Sequence, residues 1–316
     1  MHLKYAIKVV EYFIKKMIIN LQPMGVTLLL CGKKGLAVLE AIVAQNIVYM
    51  IHQVVIAKDQ GVLCDYADEI MAVCSSANVK SCFSEEAQIN SATGKVIAIG
   101  WQRLLPVNGN NVIVLHDSLL PAYRGFSPLV SQLLREEPLL GVTAFIANNY
   151  ADSGDIVFQE SVAVTYPLSI QSAIDLLIPA YVHAALFLLH AFSTGSTLKA
   201  YPQAESASTF SLWRDEADYR INWSATAHDI HQFVLAHGFP YKGASTICKN
   251  QLIRIDETVV LKDMHIVNRV PGKVIFLEEG LPVVVCGKGL LKIKNAHYDS
   301  TGALFLPVKN LRTRFQ

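Results

Sequence analysis

The sequence has few charged residues and no cluster of them. Asp, Glu, Lys and Arg make up 17% of the 316 residues, the formal net charge is +1, and hydrophobic residues reach 52%. A chain this apolar buries a large core, which argues against intrinsic disorder. The half after residue 204 has an excess of three positive charges, but no run of lysines or arginines marks a nucleic-acid groove. Such a weak positive field suits a phosphorylated small molecule as well as it suits RNA.

Paired cysteines are also missing. The six cysteines form no Cys-x-x-Cys pair and no Cys/His zinc spacing, so we expect free thiols in a reducing compartment. His228 and His231 lie three residues apart on a predicted helix, but no carboxylate or cysteine joins them at ligand spacing. The sequence therefore predicts no metal site.

No hydrophobic run reaches the length of a membrane span. The longest, residues 176–192, contains a proline and two histidines and falls short of the ~20 residues that a spanning helix needs. We interpret it as a helix buried against a sheet in a soluble, cytoplasmic protein with no membrane partner. Residues 1–23 lack the small-residue cleavage site of a secretory signal, and we interpret them as an N-terminal extension.

Apolar runs and helical patterns alternate through residues 24–198. Short buried strands are predicted at 26–31, 54–57, 96–100, 112–115 and 141–147, and an edge strand at 156–164. Helical patterns follow the first strand and recur at 63–74, 127–135 and 169–192. Such alternation predicts an α/β domain with a Rossmann-like, mostly parallel sheet flanked by helices.

A second domain is predicted after a change in composition. Residues 199–211 are rich in Ser, Thr, Pro and Gln, which is typical of a linker. Residues 212–316 contain a helix at 225–236, with Ser224 as its expected N-cap, and then five short strands separated by Gly and Asn turns. We expect a smaller, β-rich C-terminal domain.

Two motifs carry the chemistry. Residues 116–125 read His-Asp-Ser-Leu-Leu-Pro-Ala-Tyr-Arg-Gly, and Asp152 follows thirty-six positions after His116, in Asp-Ser-Gly-Asp. A histidine at a strand end, aligned by a distant carboxylate, can act as a general acid near neutral pH. Open α/β sheets place their chemistry at strand ends. We therefore expect His116 and Asp152 to be catalytic.

The residues beside this motif suit substrate binding. Arg124 has the geometry to grip a phosphate or carboxylate with two hydrogen bonds, and Tyr123 can stack on a sugar or base. With Gly125 they are predicted to bind substrate; a surface arginine and a packed tyrosine are the alternative interpretations.

Residues 116–125 resemble the signature of the folate-dependent formyltransferases. Gly141-Val142-Thr143 and the segment 152–155 match that family's second block, and residues 219–224 and 238–244 resemble the start of its C-terminal domain. The resemblance runs from about residue 26 to 296. It is closest to the branch that formylates nucleotide-linked amino sugars, with methionyl-tRNA formyltransferases a step further off.

This resemblance implies a reaction and a set of binding residues. The formyl donor would be 10-formyltetrahydrofolate, and the acceptor a dTDP-linked 3- or 4-amino deoxysugar used for surface polysaccharides, with a homodimeric enzyme. The residues implied to bind folate are Trp101, Arg103, Leu104, Leu105, Ser118, Leu119, Leu120 and Pro121.

One position departs from the family. An asparagine usually lies two residues before the histidine, where this chain has Val114. A single oxyanion donor is worth ~2.7–4 kcal/mol to a transition state. Either another donor compensates for the missing asparagine amide, namely backbone N–H groups of the turn, a water or Asp117, or the enzyme is slow. Val114 thus leaves open a folate-binding protein without catalysis. A methionyl-tRNA formyltransferase, from the neighbouring branch of the family, is the other alternative.

Overall fold

A seven-stranded sheet organises the N-terminal domain of the computed structural model, which describes residues 25–87, 94–103, 105 and 111–316. The strands, in chain order, are β1 (Val26–Leu30), β2 (Ile51–Ile56), β3 (Ser81–Phe83), β4 (Val96–Ile99), β5 (Val112–His116), β7 (Leu139–Ile146) and β8 (Ile156–Ala163). Their order across the sheet is β3-β2-β1-β4-β5-β7-β8. The first five are parallel, and β7 and β8 each run antiparallel to the neighbour before them. The predicted mostly parallel sheet is confirmed, and the predicted N-terminal extension lies outside the described residues.

Among its described residues, this domain has four α-helices. They are α1 (Gly32–Ala44), α2 (Ala67–Ser76), α3 (Pro128–Leu134) and α4 (Ile170–Thr194). Each contributes buried residues to one large apolar cluster. Among the described residues α4 alone is long and apolar enough to cross a membrane by length and composition, and half of its most apolar window is buried in the protein.

Strand alternation assigns neighbouring residues to opposite faces of the sheet. In β5, Ile113 and Leu115 belong to the large cluster with the helices, whereas Val112 and Val114 face a smaller cluster that includes Trp101. His116 continues the second set, and Asp117 the first. The catalytic candidate therefore lies on the face away from the four helices.

A two-stranded ribbon joins the motif region to the predicted linker. β6 (Arg124–Gly125) pairs in parallel with β9 (Phe210–Ser211). A further bridge links Ile156 to Tyr201. The segment 199–211 therefore contacts both β8, through Tyr201, and the end of the motif at residues 124–125, through β9. The short 3-10 helices are Val48–Met50, Glu205–Ala207 and Glu216–Tyr219.

The C-terminal domain has its own core. Its antiparallel sheet has the order β10-β11-β14-β13-β12, and helix α5 packs on it. The elements are α5 (Ala227–His237), β10 (Ala244–Cys248), β11 (Gln251–Leu261), β12 (Val274–Glu278), β13 (Leu281–Val285) and β14 (Leu290–Tyr298). The predicted β-rich domain is confirmed.

The N-cap of α5 differs from the expectation. It is Thr226, not Ser224: the Thr226 hydroxyl accepts from Asp229 N at 3.1 Å, and the Asp229 carboxylate accepts from Thr226 N in return. A threonine followed three residues later by a carboxylate satisfies two helix-end donors at once. Ser224 cannot form this capping box, because the residue three positions after it is Ala227.

The last residue of α5 is a buried histidine. His237 is fully buried, and its Nδ1 donates to Phe233 O at 2.9 Å. Burial lowers the pKa of His237 to about 4, although the bond to Phe233 opposes this shift. Below pH ~6.5 the unfolded chain gains a proton that the folded chain does not bind until about pH 4. The folded state therefore loses stability as the pH falls through this window.

We expect His237→Gln to remove this pH dependence. A shift of this size corresponds to about 3 kcal/mol in the free energy of unfolding between pH ~6.5 and ~4. Urea unfolding at intervals across that window measures it, with the exposed His265→Gln as control. An equal loss of stability in wild type and His237→Gln would contradict the assignment.

Candidate active site

His116 is held at the end of β5 by one ring hydrogen bond. Its Nε2 donates to the backbone carbonyl of Tyr123 at 2.8 Å, and the residue is 8% exposed. The other ring nitrogen, Nδ1, lies 3.6 Å from Asp152 Oδ2. This distance suits an ion pair with a protonated ring and is too long for a hydrogen bond. The predicted pair is therefore brought together, but a backbone carbonyl, rather than the carboxylate, holds the imidazole.

Asp152 lies in the loop between β7 and β8, which folds back toward the end of β5. Its Oδ2 accepts from Gly125 N at 2.7 Å, and its backbone adopts a left-handed conformation. Gln203 Nε2 donates to the carbonyls of Asp152 (2.8 Å) and Gly154 (2.7 Å). A Cβ at Gly154 would lie 1.7 Å from Ile146 O, so only glycine fits there. Sequence reasoning missed Gln203 because it lies in a stretch with the composition of a linker.

The turn after His116 is fixed by side chains from the neighbouring strands. Thr143 Oγ1 donates to Ser118 O at 2.6 Å and accepts from Leu120 N at 3.1 Å. Gln159 Nε2 donates to Leu120 O at 2.9 Å. The Leu120–Pro121 peptide is cis, and Ser118 and Leu120 are buried. These two predicted folate-binding residues therefore shape the turn.

Leu119 depends on a small residue beneath it. A Cβ at Gly141 would come within 2.2 Å of Leu119 Cδ2. The absence of a side chain at Gly141 thus leaves room for the side chain of Leu119.

Tyr123 and Arg124 direct their polar ends at protein carboxylates. The Tyr123 hydroxyl donates to Glu137, and burial together with that carboxylate raises the pKa of Tyr123 to about 12. Arg124 is 2% exposed; its Nη1 donates to Glu205 at 2.9 and 3.0 Å and its Nε to Gln203 at 3.0 Å. Arg124 Nη2 has no partner among the described residues. Direct contact of these two side chains with substrate stays a prediction.

One cavity of about 150 Å³ opens beside Asp152. It brings together the predicted folate residues Trp101, Arg103 and Leu105 with Val114 and Asp152. Its apolar wall is completed by Ala98, Phe145 and Ala147, and its rim by Asn148, Asn149, Tyr150 and Ala151. Trp101 Nε1 is buried and lacks a partner within the described residues. The predicted Leu104 lies outside the described residues.

A second cavity of about 430 Å³ lies on the other side of the Asp152 loop. Tyr150 and Ala151 line both cavities, so the loop forms their shared wall. The second cavity also takes in Arg124, Ser153, Glu205 and Phe210. Tyr150 and Phe210 are 77% and 65% exposed, so two exposed aromatic rings line this second cavity.

The histidines of α5 have separate partners. His228 Nε2 bonds to Glu136 Oε1 at 2.7 Å, and His231 Nδ1 bonds to Thr258 Oγ1 at 2.8 Å. No group of three or more His, Cys, Asp or Glu side chains is placed to hold a metal within the part of the chain that the structure describes. All six cysteines are free thiols.

Two family models match the chain. The model described as "Formyl transferase" matches residues 14–175, and the model of the formyl transferase C-terminal domain matches residues 214–303. The first match begins within the segment that we interpreted as an extension. Both predicted domains are thus covered by models of one family.

A curated relative has a similar sequence. The methionyl-tRNA formyltransferase of Acetivibrio thermocellus is 28% identical over 213 residues, which span 67% of this chain and 67% of that protein.

Solved structures share the fold across both domains. The sugar 3-N-formyltransferase WlaRD, crystallised with dTDP and 5-N-formyl-THF, has a TM-score of 0.63 at 15% identity and covers 86% of this chain and 98% of its own. An N-formyltransferase from Helicobacter canadensis, in complex with folinic acid and dTDP-3-aminofucose, has a TM-score of 0.62 at 15% identity over 85% and 98%. With one family's models matching both domains and this fold extending across them, the chain belongs to the formyl transferase family, whose members are enzymes of formyl transfer.

Proposed function

We propose that this enzyme transfers the formyl group of 10-formyltetrahydrofolate to the amine of a dTDP-linked 3- or 4-amino deoxysugar. One observation carries the proposal: the loop that carries Asp152 lines both cavities, and Asp152 Oδ2 lies 3.6 Å from His116 Nδ1. We place the donor in one cavity and the acceptor in the other, with their reacting atoms meeting near this pair. The resemblance to the sugar branch further suggests a cytoplasmic homodimer whose product is used in surface polysaccharides.

The smaller cavity suits the ring of the folate donor. Its wall of Ala98, Val114 and Phe145 is apolar and accommodates a flat ring. The Trp101 indole N–H, buried without a partner among the described residues, offers a hydrogen bond to a ring oxygen or nitrogen. An unpaired buried donor costs about 1–3 kcal/mol, which binding of such a ring recovers. Trp101, Arg103 and Leu105 are therefore assigned to the donor.

The larger cavity suits a small acceptor with a flat base. Tyr150 and Phe210 present exposed rings there, and aromatic faces stack on nucleobases. Its arginine, Arg124, is already paired with Glu205, so this cavity adds little free positive charge. An RNA helix requires a basic surface to hold its phosphates, and that requirement favours a small acceptor here.

His116 handles the proton that the reaction releases. Because Nε2 donates to Tyr123 O, the neutral ring keeps its lone pair on Nδ1. Nδ1 accepts the proton lost by the attacking amine, and Asp152 at 3.6 Å stabilises the imidazolium. As the bond between the formyl carbon and the donor nitrogen breaks, His116 returns this proton to the leaving nitrogen.

An amide outside β5 replaces the missing asparagine. Val114 lines the donor cavity and offers no donor to a developing oxyanion. Asn148 lines the same cavity, and its Oδ1 accepts from Tyr150 N (2.9 Å) and Ser153 Oγ (3.1 Å). With Oδ1 engaged, Nδ2 has no partner among the described residues and is available to the oxyanion.

A methionyl-tRNA acceptor is the second candidate, favoured by the relative from Acetivibrio thermocellus. Phosphate contacts release counterions, so tRNA binding weakens steeply with salt. A strongly salt-dependent tRNA affinity with efficient transfer to methionyl-tRNA would favour this candidate over the sugar.

An activity screen tests the function. Wild-type enzyme with 10-formyltetrahydrofolate is offered dTDP- and UDP-linked amino sugars, with methionyl-tRNA as comparator, and formylated product is detected by mass spectrometry. We expect product with a dTDP-amino sugar at the highest kcat/KM. Folate binding without transfer to any acceptor would instead indicate a non-catalytic homologue.

Neutral replacements at the catalytic pair should abolish transfer while preserving the fold. We expect His116→Asn to lower kcat by about 10²–10⁴-fold, because the proton carrier is lost. Asp152→Asn keeps an acceptor for Gly125 N but loses the charge, and should fall in the same range. Asp155→Asn, exposed in the same loop, is the matched control. Full activity in both site variants, with unchanged circular dichroism, would refute these roles.

The amide assignment predicts a rescue. We expect Asn148→Ala to lower kcat by about 10²–10³-fold with little change in the KM of either substrate. Val114→Asn in that background should restore activity by returning an amide to β5. Asn149→Ala is the control, and equal activities for Asn148→Ala and Asn149→Ala would exclude Asn148 as the donor.

A further inference from the structure

The residue after His116 carries a charge into the protein interior. Asp117 continues the alternation of β5 and faces the helices, on the side of the sheet opposite the imidazole. Its side chain is only 16% exposed. A buried carboxylate costs several kcal/mol unless it is paired and hydrogen-bonded, so its partners require explanation.

Three helices contact this one residue. Lys34 of α1 forms an ion pair with Asp117 Oδ2. Tyr181 of α4, which is 1% exposed, donates its hydroxyl to Oδ1 at 2.6 Å. Gln132 of α3, which is 2% exposed, donates to the Asp117 backbone carbonyl at 2.6 Å. Both carboxylate oxygens and the carbonyl are therefore satisfied by separate elements.

The partners keep the charge fixed. Burial disfavours the ionised carboxylate, but Lys34, the hydrogen bond from Tyr181 and the nearby His116 outweigh it and hold the pKa of Asp117 below its ordinary value. Burial and the Asp117 charge raise the pKa of Tyr181 well above its ordinary range. Asp117 is thus an anion and Tyr181 a neutral donor across the working pH range.

His116 itself has little support on the cavity side. Its ring makes one hydrogen bond, to the turn that begins at the next residue. Asp152 lies at 3.6 Å and gives its hydrogen bond to Gly125 instead. The residue next to His116, Asp117, is by contrast held by contacts from three helices.

We propose that Asp117 is the positioning residue for His116: the three helices fix the backbone that carries the imidazole, and the charge behind the sheet favours the imidazolium form. This inference rests on the proposed proton-transfer role of His116. The other titratable groups that face Asp117 are Lys34, Tyr181 and Tyr241, the last from the C-terminal domain with a pKa raised by burial and by Asp117. On the imidazole the facing charge is Asp152.

The test measures both rate and titration. We expect Asp117→Asn to lower kcat by about 10²-fold, the scale of a 1 Å misplacement, with the KM of the folate donor unchanged. The NMR titration midpoint of the His116 ring and the acid limb of the kcat/KM profile should both move to lower pH. Tyr181→Phe should give a smaller loss in the same direction.

Two controls separate positioning from general destabilisation. Tyr166→Phe removes a hydroxyl that donates to Glu137 O at 2.9 Å, away from this cluster, and should change neither readout. Lys34→Met with Asp117→Asn removes both charges together and leaves no unpaired ion, so it tests the proposal if Asp117→Asn does not fold.

The outcomes are decisive. An unchanged His116 midpoint, or an unchanged kcat, in a folded Asp117 variant overturns the proposal. If wild type transfers formyl to no acceptor, the proposed function fails, while the NMR midpoint still decides the role of Asp117.

Discussion

The hydrogen bond from His116 Nε2 to Tyr123 O is the interaction on which the site depends. It closes the chain between the end of β5 and β6 into a turn, and it determines which ring nitrogen carries a proton. Asp152 attaches to the far end of this turn through Gly125 N, so ring, turn and carboxylate are located relative to one another. Each bond contributes only about 0.5–1.5 kcal/mol net. The relative positions of the imidazole, the turn and the carboxylate are therefore fixed by these two hydrogen bonds together rather than by one strong contact.

The period of a strand lets adjacent residues perform separate tasks. Val114 and His116 lie on the face of the sheet where Val114 lines the proposed donor cavity, whereas Leu115 and Asp117 face the helices. A charge placed on the helix side acts on the imidazole across one residue of backbone without occupying space that a substrate needs. It also lies in a drier region, where an electrostatic interaction is screened less than at the surface.

The strands and helices that sequence reasoning predicted are those that show a regular spacing of hydrophobic residues. The buried strands and the long α4 have enough residues for a period to appear. The two-residue strands β6 and β9 have none, so residues 199–211 had the signature of a linker. His116 and Asp152 were found because each lies in a recognisable motif. Gln203 and the burial of Arg124 depend on contacts about 50 to 80 residues apart, which no local pattern encodes.

The valine at position 114 changes what catalysis depends on. An amide on a central strand is rigid because the sheet holds it. The position of an amide at Asn148 depends instead on how well its loop is ordered, and a loop is ordered by specific contacts. Here those contacts are present: Gln203 fixes two carbonyls of the loop, and Gly154 lets it approach Ile146 O at a distance that excludes any side chain. In the proposed mechanism, oxyanion stabilisation, acceptor contact through Tyr150 and the position of Asp152 all depend on this one loop. A substitution that displaces the backbone of this loop, such as a larger residue at Gly154, would therefore affect rate and acceptor affinity together.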